Sequence, residues 1–197
     1  MRRLALLLVA VLLVGATGCG LTENSEPRPI AAGDLPEELV DPADSTTTTT
    51  ALPSPTTTVV TVYYVIQQDG VTRLVARPRE VADASRPADR IAALLLPPTE
   101  EEQQQGILTS IPADTVLIDT DLVGDELTVD LSASLFDVQG EELRNAFAQL
   151  VWTATELQVI LRVRFLVDGQ EVNAPDASGV EQSRPVQRGD YITLAPG

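Results

Sequence analysis

The sequence predicts an α+β fold, with two helices packed on one face of a mostly antiparallel sheet. Three observations predict it: apolar alternation on either side of Asp-Gly and Gly-Asp turn signals, two separate helical stripes, and their order of strands, helix, hairpin, helix, strand.

The elements follow in turn. Val60, Val62, Tyr64 and Ile66 alternate with Thr61, Tyr63, Val65 and Gln67, and Val71 to Arg77 resumes after Asp69-Gly70, so the first unit is a β-hairpin. Both faces of its first strand are apolar, which places that strand inside a sheet. Pro87 suits the first position of a helix, and Ile91, Leu94 and Leu95 recur at helical spacing until Pro97-Pro98 stops the run. Thr99 to Gln105, ended by Gly106, reads as a helical turn leading into Ile107-Leu108-Thr109-Ser110-Ile111-Pro112.

Val116 to Leu131 is a second hairpin about Gly124-Asp125. Its expected register sets Leu122 against Leu127, Thr120 against Val129 and Ile118 against Leu131, all on one side. After Gly140, the acids Glu141 and Glu142 suit a helix start, and Leu143, Phe147, Leu150, Val151 and Ala154 form an apolar stripe running to about Leu157. Val159 to Val167 is a β-branched strand closed by the turn signal Asp168-Gly169. Ala174 to Gly197 reads as looser, with Tyr191-Ile192-Thr193-Leu194 offering a short edge strand.

Ahead of this domain the texture differs. Arg2 and Arg3 precede the apolar run Leu4 to Val14, and the small residues Gly15, Ala16 and Gly18 lead to Cys19. The run is about half of the roughly 20 residues that a spanning helix needs, so residues 1–18 read as a signal peptide. Cys19 is the single cysteine of the chain, which rules out an internal disulfide. Residues 19–58 are rich in Thr, Pro and acids without apolar periodicity and read as a disordered tether. A flexible coil of that length spans roughly 35 Å. Residues 59–172 then form the domain and residues 173–197 a loose C-terminal extension.

Composition excludes more chemistry than any motif suggests. The chain has no histidine, and all 13 of its basic residues are arginine. A Ser-His-Asp triad, a Cys-His pair and the usual zinc sites are therefore out of reach. The net charge of −16 becomes −18 once Arg2 and Arg3 leave with the signal peptide. Such a surface repels phosphate backbones, so nucleic acid is not an expected partner.

Several blocks, in this order, carry a resemblance: Val60-Thr61-Val62-Tyr63-Tyr64; Ala92-Ala93-Leu94-Leu95 with Pro98-Thr99-Glu100-Glu101-Glu102; Gly106 to Pro112; Leu127-Thr128-Val129-Asp130-Leu131-Ser132; Ala148-Gln149-Leu150-Val151-Trp152-Thr153; and Phe165-Leu166-Val167-Asp168-Gly169. Together they resemble the GerMN domain, found in spore-germination proteins and in lipid-anchored envelope proteins of actinobacteria. Leu96-Pro97 stands where the family commonly has Gly. The resemblance implies a fold similar to the ring-building motifs of secretion systems, no catalytic residues, no cofactor, and work through protein contacts at the envelope. Gly18-Cys19 likewise resembles the lipobox of bacterial lipoproteins, which implies that Cys19 is lipidated and holds the domain on the extracytoplasmic face of the cell membrane. Ala16 stands there in place of the usual Leu.

The expected partners are the membrane, through the lipid, and an unidentified envelope protein, with self-association left open. Arg162 and Arg164 either pair with acids on neighbouring strands or, with Tyr63, form a partner surface. Tyr63, Tyr64 and Trp152 either line a groove or belong to the core. Asp119, Asp121, Gly124, Asp125 and Asp130 match part of a calcium-loop count, but Val123 interrupts it and the context is strand, so the reading is a solvated strand face without a metal. A carboxylate-based enzyme or Ca²⁺-dependent binder acting on wall glycans is the alternative.

Overall fold

The structure is a computed structural model, and it describes residues 57–197. The signal-peptide segment, Cys19 and nearly all of the tether lie outside the described residues.

Strands β1 (Thr58–Gln68) and β2 (Val71–Val81) pair antiparallel along their whole length, from Thr58 opposite Val81 to Gln68 opposite Val71. Asp69 and Gly70 both have positive φ, 52° and 77°, the tight-turn geometry that an Asp-Gly pair adopts most readily. Strand β3 (Ile107–Leu108) joins the other side of β1 opposite Val65 and Ile66, so the sheet order is β2-β1-β3. The inside position expected of β1 is the one observed.

Helix α1 (Pro87–Leu95) begins at the expected proline and buries Ile91, Ala93 and Leu94. Helix α2 (Glu100–Gln104) is a single turn with a reciprocal cap. The Thr99 hydroxyl accepts from the Glu102 N–H at 3.2 Å, and the Glu102 carboxylate accepts from the Thr99 N–H at 2.8 Å.

Strands β4 (Leu117–Val123), β5 (Glu126–Leu131), β6 (Arg162–Val167) and β7 (Gln170–Val172) form a second sheet in that order. The strands are thus shared between two principal sheets, and all their pairings are antiparallel except β5 with β6. Leu122 faces Leu127 and Thr120 faces Val129 as expected, but a bulge lies between Leu117 and Asp119, so Leu117, not Ile118, opposes Leu131. The extra residue turns Ile118 outward, 52 % exposed.

The β5–β6 crossover passes through a 3₁₀ turn (Ala133–Asp137) and helix α3 (Glu141–Ala154), which starts at Gly140 with φ 60° and ψ −120°. Leu127, Val129 and Leu131 of β5, Val163 and Phe165 of β6, and Phe147, Leu150 and Val151 of α3 form the centre of the core. The Phe147 and Phe165 rings meet edge to face at 4.8 Å. From Asn145 to Ala154 every residue of α3 is buried, well beyond the stripe that its periodicity predicts.

The C-terminal segment supplies that extra cover. Residues 174–197, expected to be loose, carry a short ladder between β8 (Ala174–Pro175) and β9 (Glu181–Gln182) and a 3₁₀ helix (Arg188–Leu194), both in contact with or continuous with elements packed on α3. Val186 bridges Val163, and Tyr191 is fully buried with its hydroxyl donating to the Pro175 carbonyl at 2.9 Å. Tyr191–Leu194 therefore belongs to this 3₁₀ segment, which kinks at Tyr191, and not to the edge strand expected. The Asp190 carboxylate accepts from the Gln187 N–H at 2.8 Å and pairs with Arg184 at 2.6 Å, which holds the turn.

Candidate interaction site

Glu141, Asn145, Gln149 and Thr153 recur every fourth residue and so share one side of α3. That stripe does the work of a missing strand. Because β3 is only two residues long, it leaves Tyr63 of β1 unpaired on its side, and α3 satisfies the backbone there instead. The Tyr63 N–H donates to the Thr153 hydroxyl at 3.0 Å, and the Gln149 amide donates to the Tyr63 carbonyl at 3.0 Å. The Gln149 oxygen also accepts from the Ser110 N–H at 2.8 Å. Gln149 and Thr153 are both fully buried, where an unpaired polar group costs about 1–3 kcal/mol.

One step nearer the N-terminus of α3, Asn145 is only 6 % exposed, yet its side chain has no hydrogen bond among the described residues. It lines an open groove of about 410 Å³ between the ends of β1 and β3, the start of β2, the loop after β3 and the first turn of α3. Val65, Leu108 and Ile111 give the groove apolar walls. Glu141 and Glu142 stand at its rim, exposed, and the Thr72 hydroxyl donates to Glu141 at 3.4 Å.

Tyr63 is not on the surface, which corrects its assignment to a partner face. It is 7 % exposed, its ring meets Trp152 edge to face at 5.5 Å, and its hydroxyl donates to Glu156 at 2.8 Å. Arg188 closes this cluster: its guanidinium lies 4.6 Å from the Trp152 ring centre and donates to Glu156 at 2.7 Å and to the Thr155 hydroxyl at 2.6 Å. Burial, reinforced by Glu156, pushes the Tyr63 phenol up to about 12. Burial alone would raise the Glu156 carboxyl, but hydrogen bonds from Arg188 and Tyr63 outweigh it and hold the group below the ordinary glutamate value. Tyr64 and Trp152 are buried as well, so all three aromatics belong to the core.

On the opposite side of β1, Glu102 receives two hydrogen bonds from Arg79, at 3.0 and 2.6 Å, and Arg79 lies 4.9 Å from the Tyr64 ring centre. The Tyr64 hydroxyl donates to the Leu96 carbonyl at 2.7 Å, which fixes the loop before Pro97-Pro98. The Pro-Thr-Glu-Glu-Glu block is thus a capped turn clamped to β2.

Arg162 and Arg164 alternate on the outer face of the second sheet. Arg162 pairs with Asp125 at 2.6 Å, and Arg164 pairs with Glu126 at 2.8 Å and with Glu171. Both arginines are therefore engaged with acids, Arg162 with the β4–β5 turn and Arg164 with β5 and β7. Asp119 lies opposite Asp130 in the hairpin, but Asp130 is buried and accepts from the Gly169 N–H at 3.1 Å. These aspartates sit on strands and not around a loop, and among the described residues no three acidic, Cys or His side chains converge as metal ligands. Nor is any helix among the described residues long and apolar enough to cross a membrane.

Sequence reasoning missed Asn145, Gln149 and Arg188. For Asn145 and Gln149 the available signal was the polar i, i+4, i+8 spacing within an otherwise apolar helix; Arg188 had none.

Residues 61–173 match the Germane family, described as sporulation and spore germination. Among solved structures, the chain is similar to the tandem GerMN domains of the sporulation protein GerM from Bacillus subtilis, with 24% identity and a TM-score of 0.53. That match covers 68% of this chain and 45% of the other, so the chain spans less than half of the tandem protein's structure. The first GerMN domain of the same protein, taken alone, matches with 20% identity and a TM-score of 0.52 over 67% of this chain and 98% of that one. No curated protein matches the sequence.

Proposed function

We propose, on the premise that this chain belongs to the Germane family of sporulation and spore-germination domains, that it is a lipid-anchored extracytoplasmic protein whose GerMN-like domain binds other proteins of the cell envelope. The observation that carries this reading is the union in one chain of a lipobox-like Gly18-Cys19 and a family domain beginning some forty residues later. Cys19 takes the lipid, residues 19–58 bridge from the bilayer, and the domain meets its partner beyond the headgroups.

The electrostatics favour a binding module over an enzyme. Glu102, Glu156 and Asp190 are each held below their ordinary values by bonds from Arg79, Arg188 and Arg184 that also fasten one element to another. Their perturbation comes from structural pairing, and shifts of that origin need no catalytic role.

The test is fractionation with intact mass measurement of the mature protein. Diacylglycerol on Cys19 is expected, with Cys19→Ala leaving the membrane fraction. An unmodified Cys19, or a Cys19→Ala chain that stays with the membrane, would overturn the reading.

A further inference from the structure

We propose that the groove between β3 and the first turn of α3 is the partner-binding site, and that its occupant is an extended segment of a partner protein in which basic and aliphatic residues alternate. This rests on the protein-binding reading above and names the surface and the chemistry.

Asn145 points to a backbone ligand. Two of the polar residues in its stripe, Gln149 and Thr153, are fully engaged by backbone groups of β1 and of the loop after β3. Asn145 continues that row, is 6 % exposed where they are fully buried, and lines the groove with no hydrogen bond to its side chain among the described residues. A carboxamide offers one acceptor and two donors, which complement the C=O and N–H of an extended peptide.

The walls and rim specify the rest. Leu108, Val65 and Ile111 present apolar surface to every second side chain of an extended segment. Glu141 and Glu142 at the mouth favour Lys or Arg at the alternate positions, in keeping with the net charge of −16. An acidic segment is disfavoured, and this includes the chain's own residues 34–44, which hold Asp34, Glu37, Glu38, Asp41 and Asp44.

The experiment is selection of random heptapeptides displayed on phage against the full-length protein, followed by anisotropy titration of the enriched peptides, fluorescein-labelled, with wild type and Asn145→Leu. Leucine keeps the volume and the net charge, so generic attraction of a basic peptide to an acidic protein is unchanged by it. A basic-aliphatic consensus is expected, with affinity falling about tenfold or more in Asn145→Leu while the unfolding midpoint stays level or rises. A residue needed only for folding would lower that midpoint instead. Should Asn145→Leu fold poorly, the side-chain amide resonance of Asn145 in the wild-type chain must move during the titration.

Failure to enrich any peptide, an acidic consensus, equal affinity for both proteins, or displacement of nothing but soluble wall-glycan fragments would each overturn the proposal. Peptides that bind equally to Asn145→Leu would relocate the site and leave the protein-binding reading standing, whereas loss of that reading is scored separately at Cys19.

Discussion

Gln149 and Tyr63, 86 residues apart in the chain, are joined by a 3.0 Å hydrogen bond from a fully buried amide to the carbonyl of the sheet's middle strand. The bond makes α3 a surrogate neighbour for β1 where β3 has run out.

Replacing Gln149 by Leu should therefore cost about 2–4 kcal/mol, because it orphans both the Tyr63 carbonyl and the Ser110 N–H. Urea unfolding reads the loss. Amide exchange at Ser110 should quicken more than exchange at Ile91, which lies in the core of α1 away from the altered bonds.

Arg188 holds Trp152, Glu156 and Thr155 together while about a third exposed. Solvent weakens the ionic part, so Arg188→Leu should destabilise by about 1–2 kcal/mol, mostly through the lost contact with the Trp152 face. Arg188→Lys should fall between, since it keeps the charge but not the planar fork. Trp152 is the single tryptophan, and its fluorescence should follow both variants.

Hydrogen bonds from Arg79 hold the Glu102 carboxyl below the ordinary glutamate value of 4.5. Its stabilisation is present above that pH and fades as pH falls through the lowered folded value, when the carboxylate takes up a proton and the clamp on β2 is released. Glu102→Gln should be less stable than wild type at pH 7, and the two should converge in urea titrations as pH falls below 4.5. A gap that stays constant on acidification would refute the assignment.

All three tyrosines are buried, and burial raises each phenol, Tyr63 to about 12 and Tyr191 beyond it. Unfolded tyrosine ionises near 10, so stability should be intact below that pH and decline above it as the unfolded chain sheds protons first. Phenolate absorbance of the native protein at pH 10.5 should be close to nil, then appear together with loss of structure.

Much of this architecture is legible in the residues. Asp69-Gly70 and Asp168-Gly169 announce their turns because few other pairs tolerate successive positive φ values. Pro87 and the Leu127, Val129, Leu131 alternation place α1 and β5 through local stereochemistry alone. The bulge that expels Ile118 is not legible, since either Leu117 or Ile118 would satisfy the apolar pattern. The cover on the far side of α3 is likewise invisible: Tyr191, Val186 and Ala174 are too widely spaced to form a period, and only the folded chain brings them there. As for the site, Arg162 and Arg164 are legible in the strand, but their engagement with Asp125 and Glu126 depends on the parallel β5–β6 register and that with Glu171 on the β6–β7 hairpin. Asn145 is not legible because a polar stripe on a helix ordinarily faces water, and only the folded chain shows this one turned toward β1.

The chain enters the middle strand at Thr58, and the groove lies at that strand's other end, beside Val65 and Gln67. With Cys19 lipidated and the groove filled, as proposed, tension would run lengthwise through β1 and load the rungs it shares with β2 together instead of peeling them singly.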